Sequence, residues 1–536
     1  MFSVFVRFPL LQPSLLLLAG LLTSGCARRD FFPVDARVGP GSTAALPATA
    51  DSVRVAAGRQ YSHRSRVHLL FFGRHYRAAW AAPVTVPVLR LATAVPGGLL
   101  PGKTGGGFQS ISMTLNGADD REYALRTLDK EPQKTLPVSL RHSFLLNVVR
   151  DATSATLPYG ALTVPPLAQA AGVAHAHPRL LYVRATETGL GDASPLLHGK
   201  VAMLEEKYTG KAWATPELTG ATQFVGSEAM LKQVYRQPAH GIDQPAFLRA
   251  RLLDVWLGDW DRHEAQWQWA RVPQPNGQVR YQAIPKDRDQ VYFRFDDGVI
   301  PWLAARPFIL PRLHTFKPTY GHFPGLVQQA AFIDQRGLSA MTRADFRRVA
   351  LDFKRRLPDS LIARAVQRLP PAVWALEGPR LAAALRARRE ALPEAAQAFY
   401  QLLARRPELG GTAARERFVL YRCPDSTTVR VFSAGLGALP PHDSLRFART
   451  YYPAETRTLT LNGLAGDDVF EIITTGRGRQ MPLRLYGGAG HDQLRLQGSA
   501  HRLRLFDDAS ELSARGGPRP RRASRKHRDY DRTHDK

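Results

Sequence analysis

Cysteine is nearly absent from this chain, with two in 536 residues. That excludes a disulfide scaffold and any multi-cysteine zinc or iron–sulfur site. Lysine is scarce: of 73 basic residues, 12 are Lys and 61 are Arg. Acidic residues number only 46, and the formal charge is +27. Such a charge invites a nucleic-acid reading, but an arginine bias can follow from genome composition alone, so the surplus has to be located. Residues 343–406 hold 14 basic against 6 acidic side chains, and residues 515–536 hold 9 against 3. Solvated helix faces and a loose tail would thus carry about half of it. Long apolar runs are missing too, and no segment after the N-terminus suits a transmembrane helix. What remains is 44 % hydrophobic and 22 % charged, a folded chain with length for roughly two to four domains.

The N-terminus decides the compartment. One arginine in residues 1–7 precedes an apolar stretch, residues 8–22, whose uninterrupted part is too short to span a bilayer. A charged start, a short apolar core and small residues before a cut site describe a secretory signal. Thr23-Ser24-Gly25-Cys26 resembles a bacterial lipobox, which implies that Cys26 becomes the acylated first residue of the mature protein. The expectation is a cell-envelope protein, lipid-anchored at the outer membrane, with residues 1–25 as signal peptide and 26–65 as a tether. Its expected partners are the membrane, outer-membrane proteins or lipopolysaccharide, and not nucleic acid. Cys423, left unpaired, is expected to be buried as a small hydrophobe.

From residue 66 helical and strand patterns mix, so the expected class is α+β. Residues 108–115 and 122–128 read as a hairpin around Asn116-Gly117-Ala118-Asp119-Asp120. Residues 180–183 and 201–204 are short strands. Residues 245–257 read as a helix with Phe247, Leu248, Leu252, Val255 and Trp256 on one side. Residues 340–406 are helical, with Thr342 and Asp345 suited to a capping box. Short β runs fill 416–508. Gly97-Gly98-Leu99-Leu100-Pro101-Gly102-Lys103-Thr104 matches a phosphate-loop pattern. Three glycines follow it, where that chemistry needs a helix N-terminus, so the match is rejected.

The densest polar cluster is Gly258-Asp259-Trp260-Asp261-Arg262-His263, with Gln266 shortly after. Pro285-Lys286-Asp287-Arg288-Asp289-Gln290 follows about two dozen residues later. Between them, an alternating run from Gln266, a turn at Asn276-Gly277 and a returning run form a hairpin that sets the second cluster beside the first. Two acidic loops so joined place one carboxylate near a reacting hydroxyl and others on a metal, the arrangement phosphoryl transfer needs. Upstream, glycines including Gly106 and Gly107 precede a hairpin whose later residues include Arg126 and Lys130, suited to pairing with phosphates. The bland alternative is that Asp259, Asp261 and Asp287 cap helices and turns, with Arg262 and Arg288 as ion-pair partners. A metal-dependent hydrolase is a lesser reading, since the further His and Asn ligands of two-metal phosphatases are missing.

Gly258-Asp259-Trp260-Asp261-Arg262-His263 resembles the catalytic loop of the atypical kinase-like superfamily of HipA-type, spore-coat and secretory-pathway kinases. The resemblance implies a two-lobed kinase-like domain, residues 66–335, extended by a helical segment, 336–410. It implies ATP and Mg²⁺ as cofactors, Asp261 as the catalytic Asp with His263 beside it, and Asp287 as a metal ligand with Asp289 as second candidate. Gln266 stands where many kinases have a metal-binding Asn, a poorer ligand, so a pseudokinase or purely structural binding protein is the alternative. Glu205-Glu206, after an apolar strand, would be a nucleotide hinge or a lysine partner. Residues 68–512 also resemble Gram-negative envelope proteins in which a similar G-D-W-D-R-H…D-R-D segment precedes a BamA-like outer-membrane barrel. This chain stops where that barrel would begin.

A β-rich domain, 411–512, and a basic tail, 513–536, are expected to follow. Gly463-Leu464-Ala465-Gly466-Asp467-Asp468 and Gly487-Gly488-Ala489-Gly490-His491-Asp492 resemble the repeats of calcium-binding β-rolls, which implies Ca²⁺ between stacked turns. Those repeats stack at nine residues, whereas these lie 24 apart, so paired β-turns without metal are the preferred expectation.

Overall fold

The computed structural model describes residues 26–105, 111–213, 220–433, 444–507, 512–515, 517–522 and 530. The expected signal peptide, Gly106, Gly107 and much of the tail lie outside them. The architecture is mixed α+β.

Residues 26–65 are no tether. Strand β1 (Ser52–Val55) pairs antiparallel with β2 (Val84–Pro87), and Phe31, Val55 and Tyr61 enter the main core. Isolated aromatics in a Gly/Pro-rich stretch gave no periodicity from which to read this. Cys26 is exposed and forms a backbone bridge with Ser143. Helix α1 (Arg66–Phe72) follows β1 and buries none of its residues. Next comes an antiparallel five-stranded sheet in the order β3-β4-β5-β7-β6: β3 (Leu99–Gly105), β4 (Ser112–Gly117), β5 (Glu122–Thr127), β6 (Arg179–Tyr182) and β7 (Val201–Lys207). The rejected phosphate-loop match runs into β3 as extended chain. Helices α2 (Phe144–Ala152) and α3 (Val164–Ala171) occupy the excursion before β6.

A second sheet, of order β8-β10-β11-β9, contains β8 (Gln223–Gly226), β9 (His240–Ile242) and the expected hairpin, β10 (Trp267–Pro273) with β11 (Val279–Pro285). Helix α4 (Ser227–Arg236) and helix α5 (Gln244–Leu257) lead to that hairpin. Asp243 caps α5 by accepting from the Ala246 N–H at 3.1 Å, and Gly258 ends it at φ +70°. The helix is buried nearly all round rather than on one face, which makes it the axis of the body. Helix α6 (Val299–Ala304) follows the second acidic loop. The expected helical segment comprises α7 (Arg343–Arg356), α8 (Asp359–Val366), α9 (Pro371–Glu390) and α10 (Leu392–Ala404). Its capping box forms between Thr342 and Asp345.

The C-terminal region is a β-solenoid whose coils stack in parallel, begun by an antiparallel three-stranded meander. One sheet runs β12 (Glu408–Gly410), β16 (Leu459–Asn462), β18 (Leu483–Tyr486), β20 (Leu503–Asp507) and β22 (Arg521–Arg522). The other carries β13 (Glu416–Arg422), β14 (Thr427–Ser433), β15 (Ser444–Tyr451), β17 (Val469–Thr474), β19 (Gln493–Gln497) and β21 (Ser513–Arg515). Leu459 aligns with Leu483 and Val469 with Gln493, so this coil takes 24 residues; the next takes 20, Leu483 aligning with Leu503 and Gln493 with Ser513. That corrects the expectation that such spacing forbids stacking: the period is set by two strands and two turns. The Gly-Asp turns do stack, through a bridge between Ala465 and Ala489. Their carboxylates serve the coil-to-coil ladder: Asp467 accepts from the His491 N–H and Asp492 from the Asp468 N–H, both at 2.9 Å. Among the described residues no group of three or more His, Cys, Asp or Glu is arranged to hold a metal ion. The tail is not loose throughout, since β21 and β22 extend the solenoid and Tyr530 is buried against Tyr235. Cys423 is half-buried with Sγ 3.3 Å from Thr475 Oγ1, not enclosed as a hydrophobe.

Asp468 accepts from the Glu416 N–H at 2.8 Å, and burial, with the Glu416 and Asp492 carboxylates nearby, pushes it up to about 9. A carboxyl kept protonated in the fold but ionised when unfolded costs stability as pH rises from about 4 toward 9. Asp468→Asn should therefore melt higher than the parent at pH 8, with the difference vanishing at pH 4. Scanning calorimetry at both pH values checks this, and parallel melting curves would refute it.

Candidate functional site

Helix α5 ends against the first acidic loop, and the left-handed Gly258 turns the chain out of the helix. A side chain there would meet the Phe316 ring at 2.9 Å, so glycine is required on both counts. The next residues divide. Asp259 is fully buried, whereas Asp261 is half-buried. After the hairpin, Asp287 sits at φ +60°, a conformation that Asp tolerates better than most residues. The second loop consequently alternates, with Asp287 and Asp289 facing the cleft and Arg288 turned inward.

The inward residues form a charge network. Arg288 bonds Asp254 and lies 2.9 Å from Asp259. Arg251 reaches Asp254 at 2.5 Å and Asp334 at 2.6 Å, and Arg262 reaches Asp254 at 3.4 Å. Arg262 also donates to the carbonyls of Lys286 at 2.7 Å and Gln266 at 2.9 Å, tying the two loops together. Burial opposes ionisation of Asp254, but Arg288, Arg262 and Arg251 outweigh it and hold the carboxyl below its ordinary value. Burial raises Asp259 against the pull of the same guanidinia. It also pushes Asp334 up to about 6.

The outward residues meet the sheet. Lys130, just past β5, pairs with Asp289. Arg126 on β5 pairs with Glu205 on β7 and lies 3.7 Å from Asp287. Gln266 Nε2 donates to Asp287 Oδ2 at 3.5 Å. Asp261 is close enough to bear electrostatically on both Lys130 and Asp289. Burial together with the Asp287 carboxylate pushes Asp289 up to about 6. Asp287 itself is held low because Arg126 and Lys130 overcome its burial. Lys286 is lowered to about 8 by burial, with Arg126 adding to the effect.

Lys130, Arg126, Glu205, Asp287 and Asp289 line one cleft, with Gln266 against Asp287 and Asp261 within electrostatic reach of Lys130 and Asp289. Glu205 serves Arg126 and not Lys130, whose carboxylate partner is Asp289. His263 accepts from the Ala265 N–H at 3.3 Å and caps the short turn that follows. Trp80, Leu157, Pro158 and Met203 add apolar walls, and the free volume is about 50 Å³. The sequence reading missed Arg251, Asp254 and Asp334. Its one available signal was Arg251 and Asp254, three residues apart in the apolar second half of that helix.

Asp254→Ala leaves three buried arginines with one fewer carboxylate and should cost about 3–5 kcal/mol of stability. Asp261→Asn, outside the network, should melt within about 0.5 kcal/mol of the parent. Urea unfolding of the two variants separates these roles, and equal losses would show that Asp261 also carries the fold.

Comparison with protein-family models, with curated proteins and with solved structures finds no match.

Proposed function

We propose that the protein is a kinase-like phosphotransferase of the cell envelope, held there through an acylated Cys26 and transferring phosphate from ATP to a hydroxyl acceptor. One observation carries this reading. Arg126 on the five-stranded sheet and Lys130 just past β5 face Asp287 and Asp289 across a single cleft, and Asp261 is close enough to act electrostatically on Lys130 and Asp289. The sheet then forms one lobe and the body around α5 the other.

In this reading Lys130 and Arg126 pair with phosphate oxygens, and Asp261 accepts the proton of the acceptor hydroxyl. Asp287 and Asp289 are hard oxygen donors of the type a divalent cation takes, and burial together with the Asp287 carboxylate raises Asp289. Asp287, Asp289 and Gln266 would hold Mg²⁺, which when bound neutralises charge on the transferred phosphate. The non-enzymatic alternative, a pseudokinase or structural partner of outer-membrane proteins, is favoured by a different observation. The cleft is narrow, and its cations are already spent on Glu205 and Asp289.

Incubated with ATP and Mg²⁺, the purified protein should transfer phosphate or phosphorylate itself. Asp261→Ala and Asp287→Ala should each lower the rate by about 10²-fold or more without changing the melting temperature. Equal rates in the parent and both variants would end the enzymatic reading. A nucleotide-induced rise in melting temperature without turnover would leave a pseudokinase.

A further inference from the structure

Helix α1 has the sequence Arg-Val-His-Leu-Leu-Phe-Phe, yet none of its residues is buried. It packs against α6, another short apolar helix that leaves large side chains in water. Leu70 is 61 % exposed, Trp302 51 % and Phe308 66 %, and Val67, Phe71 and Leu303 stand out beside them. Apolar groups this size, contiguous across two packed helices, mark an interaction surface.

The face is held rigidly. A side chain at Gly298, before α6, would lie 2.3 Å from the backbone nitrogen of Gly73, after α1, so the two helix ends meet backbone to backbone. From the other side Asp151 of α2 receives Arg64 and His68, each at 3.1 Å, and Arg77 at 2.6 Å. His75 and Arg294 both pair with Asp297, and Lys317 pairs with Asp296. The carboxylates nearest the face are therefore already matched by cations.

Charge names the occupant. No acidic residue occurs in residues 52–118, which contain α1, or in residues 298–333, which contain α6. The same stretches carry Arg54, Arg59, Arg66, Arg74, Arg306 and Arg312, among other cations. The Arg306 guanidinium lies 3.4 Å from the centre of the Trp302 ring, an aromatic–cation pair of the kind that settles between acyl chains and headgroups. Exposed apolar side chains on two segments that carry cations and no carboxylate, with Arg306 stacked on Trp302, match an anionic bilayer surface. We propose that the α1–α6 face docks on an anionic lipid membrane and inserts its apolar side chains among the headgroups. This contact is separate from any anchor at Cys26 and independent of phosphoryl transfer.

The test uses the full chain with Cys26→Ser, so that acylation at that position contributes nothing. It should sediment with phosphatidylcholine vesicles containing phosphatidylglycerol and much less with phosphatidylcholine alone. Leu70→Glu combined with Trp302→Glu should weaken that partition by about tenfold or more, with the melting temperature unchanged. Leu376→Glu, an exposed site on α9, should leave the partition as it was. Binding that survives the double substitution, or no binding to anionic vesicles, would overturn the proposal. A soluble dimer that the double variant dissolves, with no vesicle binding, would assign the face to a second copy of the chain.

Discussion

Asp254 has no exposed surface and three arginines around it, and the rest of the cleft hangs on that cluster. Arg251, Arg262 and Arg288 balance Asp254, Asp259 and Asp334, so the cluster carries no net formal charge. Burying six ions is costly unless each finds partners, and such a set is poor evidence of stability for its own sake. What it supplies is registry. Asp254 belongs to α5, Arg262 to the first acidic loop and Arg288 to the second. Neither loop can shift along the helix without stranding a charge in the core. The Arg262 ring contact with Trp267, 4.8 Å to the centroid, adds β10 to the same lock.

From that lock the outward residues inherit their places. Asp259 and Asp261 are two apart on an extended loop, yet one is absorbed by the network and the other is left in the cleft. Around Arg288 the pattern is mirrored, with Asp287 and Asp289 left outside. A chain that alternates in this way needs the left-handed turns at Gly258 and Asp287, because regular helix would return all these side chains to neighbouring faces of one cylinder. The cleft cations then pair with the outward carboxylates because water is largely excluded and nothing else compensates them. An incoming polyanion would compete for Arg126 and Lys130, and a cation would compete for Asp287 and Asp289.

The sequence made the hairpin and its flanking loops legible because those features are local. Asn276-Gly277 sets the turn, alternation sets the strands, and the two polar clusters then fall side by side. The capping box of α7 was readable for the same reason. Arg251 and Asp334 were not, since their pairing joins α5 to a segment about eighty residues away and no local period announces it. The packed segment before residue 66 failed similarly: Phe31 and Tyr61 are lone aromatics whose partners lie far along the chain. In the solenoid each strand was visible, but the parallel register is a long-range property. Its 24-residue coil appears only when β16, β17 and β18 are followed around together.

The arginine bias itself acquires a physical reading from the folded chain. Arg388 of α9 is fully buried and donates to the carbonyls of Val255 at 2.6 Å, Trp256 at 2.8 Å, Lys317 at 3.0 Å and Thr319 at 3.1 Å. It closes the C-terminal end of α5 and stacks on Tyr320, 4.0 Å to the ring centre. Arg422 spans the solenoid interior, donating to the carbonyls of Met481 and His501 at 3.0 Å each. A planar fork with five donors can satisfy several carbonyls at once, whereas a lysine offers a single point and a costlier dehydration. Arginine is used here as a strut between elements as well as a surface charge. Genome composition can set how many arginines a chain has, but it does not place them under helix ends and between coils. The +27 is therefore partly internal architecture.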